Sequence, residues 1–115
     1  MLPAASRLKR RSDFARVYGK GRSYATDLIV VYVLPNREKV TRIGFSVSGK
    51  LGKSTVRNRI KRLLREAARK LLPEILPGYD VVVVARQKAV NAELADISSA
   101  MQLLFAKSGI LRVQD

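Results

Sequence analysis

The chain has 115 residues, 47% of them apolar, which suits one domain with a packed core and not a disordered basic tail. Its 23 Lys and Arg against 9 Asp and Glu leave a formal charge of +14, a footprint for a polyanionic partner. With no His and no Cys, the usual general base, a disulfide framework and a thiolate zinc site are all excluded. The carboxylates are scattered, with no D-x-D or E-x-x-E cluster to hold a metal. No apolar run reaches membrane-span length and no signal-peptide core follows Met1, so nucleic acid is expected before a membrane. Lack of Cys is compatible with a cytoplasmic location, which is the expectation here.

Residues 1–11, with Arg7, Lys9, Arg10 and Arg11, read as an extended, flexible basic arm. Ser12 is an N-cap candidate for a short helix to Lys20, stopped by Gly21, with Phe14, Val17 and Tyr18 on one face. Leu28 to Leu34 reads as a strand covered on both faces, and Pro35 to Lys39 as a turn. Val40 to Ser48 alternates, Ile43, Phe45 and Val47 opposite Arg42, Gly44, Ser46 and Ser48, so the two strands are expected to form an antiparallel hairpin. Gly49-Lys50-Leu51-Gly52-Lys53 suggests a phosphate cradle at a helix start. It is not a P-loop, since only two residues separate its glycines. A long helix from an N-cap at Ser54 to about Leu72 ends at Pro73. Pro77 to Asp80 is a turn and Val81 to Ala85 a buried strand. Asn91 is expected to cap a last helix whose Leu94, Ile97, Met101, Leu104 and Phe105 form a core stripe ended by Gly109.

The long helix carries the main signal. At 100° per residue, Val56, Ile60, Leu63, Leu64, Ala67 and Leu71 gather within an arc of roughly 100°. Arg57, Asn58, Lys61, Arg62, Arg65 and Arg69 occupy the opposite side, and Glu66 is the helix's one acid. Crowded cations without i, i+4 carboxylates repel one another unless a partner neutralises them. Nothing reads as a helix-turn-helix, so RNA is preferred to a DNA major groove. Phe14 at helical spacing suits the core; Tyr18 and Tyr32 suit either the core edge or a base-stacking wall. Arg86 is open between an RNA contact and a strand-end cap.

Arg42-Ile43-Gly44-Phe45-Ser46-Val47-Ser48, then Lys50, Gly52 and Val56-Arg57-Asn58-Arg59-Ile60-Lys61-Arg62-Leu63-Leu64-Arg65, resembles the signature of the bacterial ribonuclease P protein subunit. Asp13-Phe14 with Val17-Tyr18 and Gly21 resembles that family's first helix, and Asp80 to Arg86 its fourth strand. Gly49 departs from the pattern, standing where the family commonly has a second lysine, and Ser54-Thr55 replaces small residues.

The resemblance implies a single α+β domain over residues 1–115, a small four-stranded mixed sheet packed with about three helices in the order α-β-β-β-α-β-α. It also implies likeness to the second domain of ribosomal protein S5 and a left-handed βαβ crossover. Three strands are evident, so a short fourth is expected near Tyr24 or within the hairpin region. The resemblance further implies partnership with ribonuclease P RNA, the catalytic subunit, and with precursor tRNA, whose 5′ leader is removed. Mg²⁺ is then held mainly by the RNA, and the protein, a monomer in the particle, has no catalytic residue, metal ligand or organic cofactor. Lys53, Arg57, Asn58, Arg59, Lys61, Arg62 and Arg65 are implied contacts to the RNA subunit. Phe14, Tyr18, Tyr32, Ser48 and Lys50 are implied to line the cleft for the single-stranded leader. The rival classes are a structural RNA-binding protein of ribosomal type and a membrane-surface protein.

Overall fold

The computed structural model describes residues 2–112. Helices α1 (Arg11–Lys20), α2 (Ser54–Leu71) and α3 (Leu94–Ser108) pack on strands β1 (Arg22–Ala25), β2 (Ile29–Pro35), β3 (Arg42–Ser46) and β4 (Tyr79–Ala85). The elements follow the expected α-β-β-β-α-β-α order, and the short fourth strand is β1, at Tyr24.

The sheet runs β1-β2-β4-β3. β1 and β2, and β2 and β4, pair antiparallel, whereas β3 and β4 pair parallel across the α2 crossover. The expected β2–β3 hairpin is therefore not formed, because β4 lies between the two strands. Val81, Val82 and Val83 are wholly buried, and a strand apolar on both faces reaches that state only in the centre of a sheet. The 36–41 connection instead spans the start of β4: Asn36 N–H donates to the Gly78 carbonyl at 2.8 Å, and the Thr41 hydroxyl bonds the Leu76 carbonyl.

The pleat of β4 divides the molecule. Val81, Val83 and Ala85, with Ile29, Val31 and Val33 of β2 and Ile43 of β3, face α2 and α3 and make the main core. Ile60, Leu64, Ala67 and Ala68 of α2 and Ile97, Met101, Leu104 and Phe105 of α3 complete it. Full burial of a residue such as Leu64 or Phe105 contributes about 1.5–3 kcal/mol. Asp80, Val82 and Val84 point to the other face, which α1 covers in part.

Helix starts differ from expectation. α1 and α2 begin with Arg10 and Lys53 at the N-cap and no side-chain cap, so neither Ser12 nor Ser54 fills that place. α3 starts at Leu94, three residues after Asn91, because Glu93 and Asp96 form a reciprocal capping box. Gly21, Pro73 and Gly109 act as read: Gly21 N–H closes α1 on Val17, Pro73 sits in the turn after α2, and Gly109 adopts φ 81.

The basic arm is anchored between residues 2 and 8. Leu2 and Leu8 are buried, and Leu8 N–H donates to the Ile43 carbonyl at 3.0 Å, making a short parallel bridge along the β3 edge. Two leucines were too sparse a signal to distinguish docking from a solvated tail.

Candidate nucleic-acid interface

The face under α1 is organised by a carboxylate that the sequence did not single out. The Asp80 side chain is fully buried and accepts from Arg42 Nε at 2.9 Å, Arg42 Nη2 at 2.8 Å, Asn36 Nδ2 at 2.8 Å, and Arg16 Nη2. Asp13 adds weaker pairs, 3.5 Å from Arg16 and 4.0 Å from Arg42. Burial alone would raise the Asp80 carboxyl, but hydrogen bonds from Arg42, Asn36 and Arg16 outweigh it and hold the group below its ordinary value. The network joins α1, the 36–41 loop, β3 and β4, so it fixes how α1 lies on the sheet.

Phe14, Val17 and Tyr18 hang from the helix so positioned. Val17 is buried against the sheet with Leu8 and Val82, and Phe14 is half-buried. The Phe14 ring rests on Gly44, where a Cβ would stand well inside van der Waals distance of the ring and at 3.1 Å from Leu8. Gly44→Ala is expected to displace that ring and to cost about 1–2 kcal/mol by overpacking. A denaturation midpoint equal to wild type would show the ring to be free to move.

Beyond Phe14 the face opens. The Tyr18 centroid is 6.5 Å from Phe14 and 5.0 Å from Tyr32, the latter pair edge-to-face at 84°. Tyr18 is 40% exposed, Tyr32 half-buried, and half-covered Val84 and Ser46 continue the same face across β4 and β3. At its β3 end the Ser48 hydroxyl accepts from Lys50 N–H at 3.1 Å, holding a 3-10 turn over Gly49–Leu51. Gly52, at φ 142, then reverses the chain into α2. Ser48 and Lys50 are exposed in this loop, two and four residues beyond Ser46.

The α2 cations divide into three directions. Arg57, Lys61 and Arg65, at i, i+4 and i+8, run down the flank nearest β3; Lys61 and Arg65 border a groove along the β3 edge. Arg57 Nε bonds the Gly52 carbonyl at 3.2 Å, and Lys53, Asn58 and Arg62 are exposed. Arg59 turns the other way: its guanidinium donates to the Val90 and Ala92 carbonyls at 3.2 and 2.9 Å, bracing α2 against the approach to α3. Arg69 is paired with Glu66 at 2.6 Å. Among the described residues, Arg57, Lys61, Arg62 and Arg65 have no ion pair. Arg86, left open by the sequence, donates to the Thr26 carbonyl at 2.9 Å and fastens the β1–β2 turn. No three carboxylates among the described residues gather closely enough to hold a metal ion.

Residues 2–109 match the family model described as Ribonuclease P. The chain belongs to the ribonuclease P protein family. The ribonuclease P protein component of Alkaliphilus oremlandii is 40% identical over 110 residues, 96% of each chain. That of Symbiobacterium thermophilum is 45% identical over 109 residues, 94% of this chain and 95% of the relative. The Staphylococcus aureus RNase P protein structure is similar at a TM-score of 0.85 and 35% identity, covering 93% of this chain and 98% of that one. The Thermotoga maritima RNase P protein gives 0.77 at 32% identity, over 85% and 94%.

Arg16, Asn36 and Asp80, which join in this network, carry no motif or spacing signal in the sequence that links them. Turn chemistry puts Asp80 at the end of the Pro77–Asp80 turn and the resemblance puts it at the start of the fourth strand; it is the second residue of β4. Extending the Val81–Ala85 strand by one residue places it on the Val82–Val84 face, paired with Arg42.

Proposed function

We propose that the chain, as the protein component of ribonuclease P, binds the catalytic RNA subunit through α2 and the single-stranded 5′ leader of precursor tRNA across the α1–sheet cleft. The observation that carries this reading is the row Arg57, Lys61, Arg65, with Asn58, Arg62 and Lys53 beside it, unneutralised by any carboxylate among the described residues. Those side chains would meet RNA phosphates, with Arg59 setting the tilt of α2 through its bonds to Val90 and Ala92.

In the cleft, Tyr18 and Tyr32 offer rings at right angles, one with an accessible face, while Phe14 closes the inner end. Stacking is tolerant of base identity, which suits a subunit that accepts many leaders. Ser48 and Lys50 would hold the leader backbone where it leaves the sheet. The RNA subunit supplies the hydrolytic chemistry with the Mg²⁺ it holds; the protein orients the leader and holds the two RNAs together, as a single copy in the cytoplasmic particle.

The test is cleavage of precursor tRNA by a bacterial ribonuclease P RNA at low Mg²⁺, with and without the full chain. Stimulation is expected, and its absence overturns the reading. Tyr32→Ala should weaken binding of leader-bearing substrate about five- to tenfold, the scale of one stacked base. Mature tRNA should be unaffected; an equal loss for both would return Tyr32 to a purely structural place. A structural RNA binder of ribosomal type predicts no dependence on the leader at all.

A further inference from the structure

The groove at the β3 edge is distinct from the aromatic cleft and belongs to neither contact set as a whole. It holds about 370 Å³, enough for one flat ring system with its sugar but not for a duplex. Its floor is Leu2, Leu8, Ile43 and the Phe14 and Phe45 rings; Arg7, Lys61 and Arg65 stand around it, and no carboxylate lines it. Arg7 is held in place by its Nε bond to the Leu2 carbonyl at 3.0 Å. Lys61 and Arg65 have no hydrogen-bond or ion-pair partner among the described residues.

The fourth feature is a strand edge. The arm pairs with β3 at Ile43, and β4 occupies the other side of β3. Two residues further on, the Phe45 segment has no strand on its outer side among the described residues, leaving backbone polar groups facing outward. An occupant must therefore be anionic, partly flat and apolar, about one residue in size, and able to hydrogen-bond along an edge. A nucleotide with its flanking phosphates has all four properties.

We propose that this groove takes one unpaired nucleotide of the RNA subunit, its base against Leu8, Phe14 and Phe45 and its flanking phosphates on Lys61, Arg65 and Arg7. The assignment rests on the RNA-binding reading above. The RNA subunit is chosen over the leader because Lys61 and Arg65 continue the α2 row at the groove's open side. The buried arm is then part of the site: Leu2 and Leu8 are its floor, and anchoring them builds it.

The test follows backbone amide signals of the full-length chain by NMR during titration with a single-stranded RNA tetranucleotide and with its abasic counterpart. Shifts at Leu8, Ile43 and Phe45 that need the base support the proposal, with affinity falling about tenfold when the base is removed. Shifts confined to Arg7, Lys61 and Arg65, equal for both ligands, overturn it in favour of phosphate contact alone. Shifts confined to Tyr18 and Tyr32, or groove shifts produced by an acidic peptide and not by RNA, overturn it as well.

A second arm measures binding to a bacterial ribonuclease P RNA by Lys61→Ala and Lys61→Phe, both of which remove the charge while only Phe fills the groove. Lys61→Phe should bind about tenfold more weakly than Lys61→Ala, and equal affinity overturns the proposal. If wild type binds the RNA subunit and the groove signals stay still, the groove assignment fails alone. If wild type does not bind it, the RNA-binding reading fails.

Discussion

Asp80→Asn should lower the stability of the folded chain by about 3 kcal/mol, the low end of the range for breaking a buried ion pair. The low end applies because Arg16 and Arg42 keep a route to water, at 35% and 25% side-chain exposure, whereas the carboxylate has none. Even so, that is a large share of the 5–15 kcal/mol typical of a domain. In a chain of this length it corresponds to a fall of roughly 10–20 °C in thermal midpoint. The substitution keeps size and one hydrogen-bonding oxygen, so the loss reports the charge and not a cavity.

The same network sets a pH dependence. A carboxyl whose folded pKa is depressed contributes stability that is fully present above its unfolded value, about 3.9, and is lost as pH falls through the lower folded value. Wild type should therefore lose stability steadily below about pH 4. Asp80→Asn should show a shallower acid slope, since that position no longer titrates. Chemical denaturation at several pH values from neutral to acid measures both. Parallel slopes for the two proteins would mean that Asp80 is not held in the charged form by its arginines.

The consequence for the interface is geometric. Arg16 lies midway between Phe14 and Tyr18 on α1, and its bond to Asp80 fixes the rotation that presents both rings. The cleft is thus built by an ion pair beneath it as much as by its own aromatic residues.

How much of this was legible follows from how local each signal is. α2 was readable almost to the residue, because an 18-residue amphipath with a 3.6 period states its own buried face. Phe14 with Tyr18 was readable for the same reason, four residues apart on one helix. Sheet order was not. Leu28 to Leu34 followed by a turn and an alternating run is the local pattern of a hairpin, and nothing in those residues says that a third strand, some thirty-five residues later, enters between them. Only the unbroken valines of β4 hint that it occupies the centre.

Asp80 escaped for a related cause. Its partners Arg16, Asn36 and Arg42 lie 64, 44 and 38 residues away, so no spacing rule links them. Arg59 is the converse case, a residue grouped with its neighbours by sequence motif whose structural bonds set it apart from them. On the helix it stands about 160° from Arg57 and Lys61 and about 120° from Arg65, and its guanidinium donates to two backbone carbonyls.

That division of labour on α2 yields the sharpest binding prediction. Combining Arg57→Ala, Lys61→Ala and Arg65→Ala should reduce the salt dependence of RNA-subunit binding by about 2 to 3 in the log–log slope, each lost phosphate contact contributing roughly 0.7 to 0.9. Relief of repulsion along the row offsets loss of the exposed Arg57–Gly52 bond in the same variant, so the free protein should keep about wild-type stability. Arg59→Ala should behave in reverse. Two partly buried carbonyls lose their donor, stability falls by about 1–2 kcal/mol, and the slope changes little. Lys107→Ala, on the last turn of α3, is the control for general charge. Titrating RNA at several salt concentrations, beside urea denaturation of each variant, separates the outcomes. A triple variant with the wild-type slope removes this flank of α2 from the RNA interface. An Arg59→Ala slope as flat as the triple's would put that guanidinium on a phosphate and not on Val90 and Ala92.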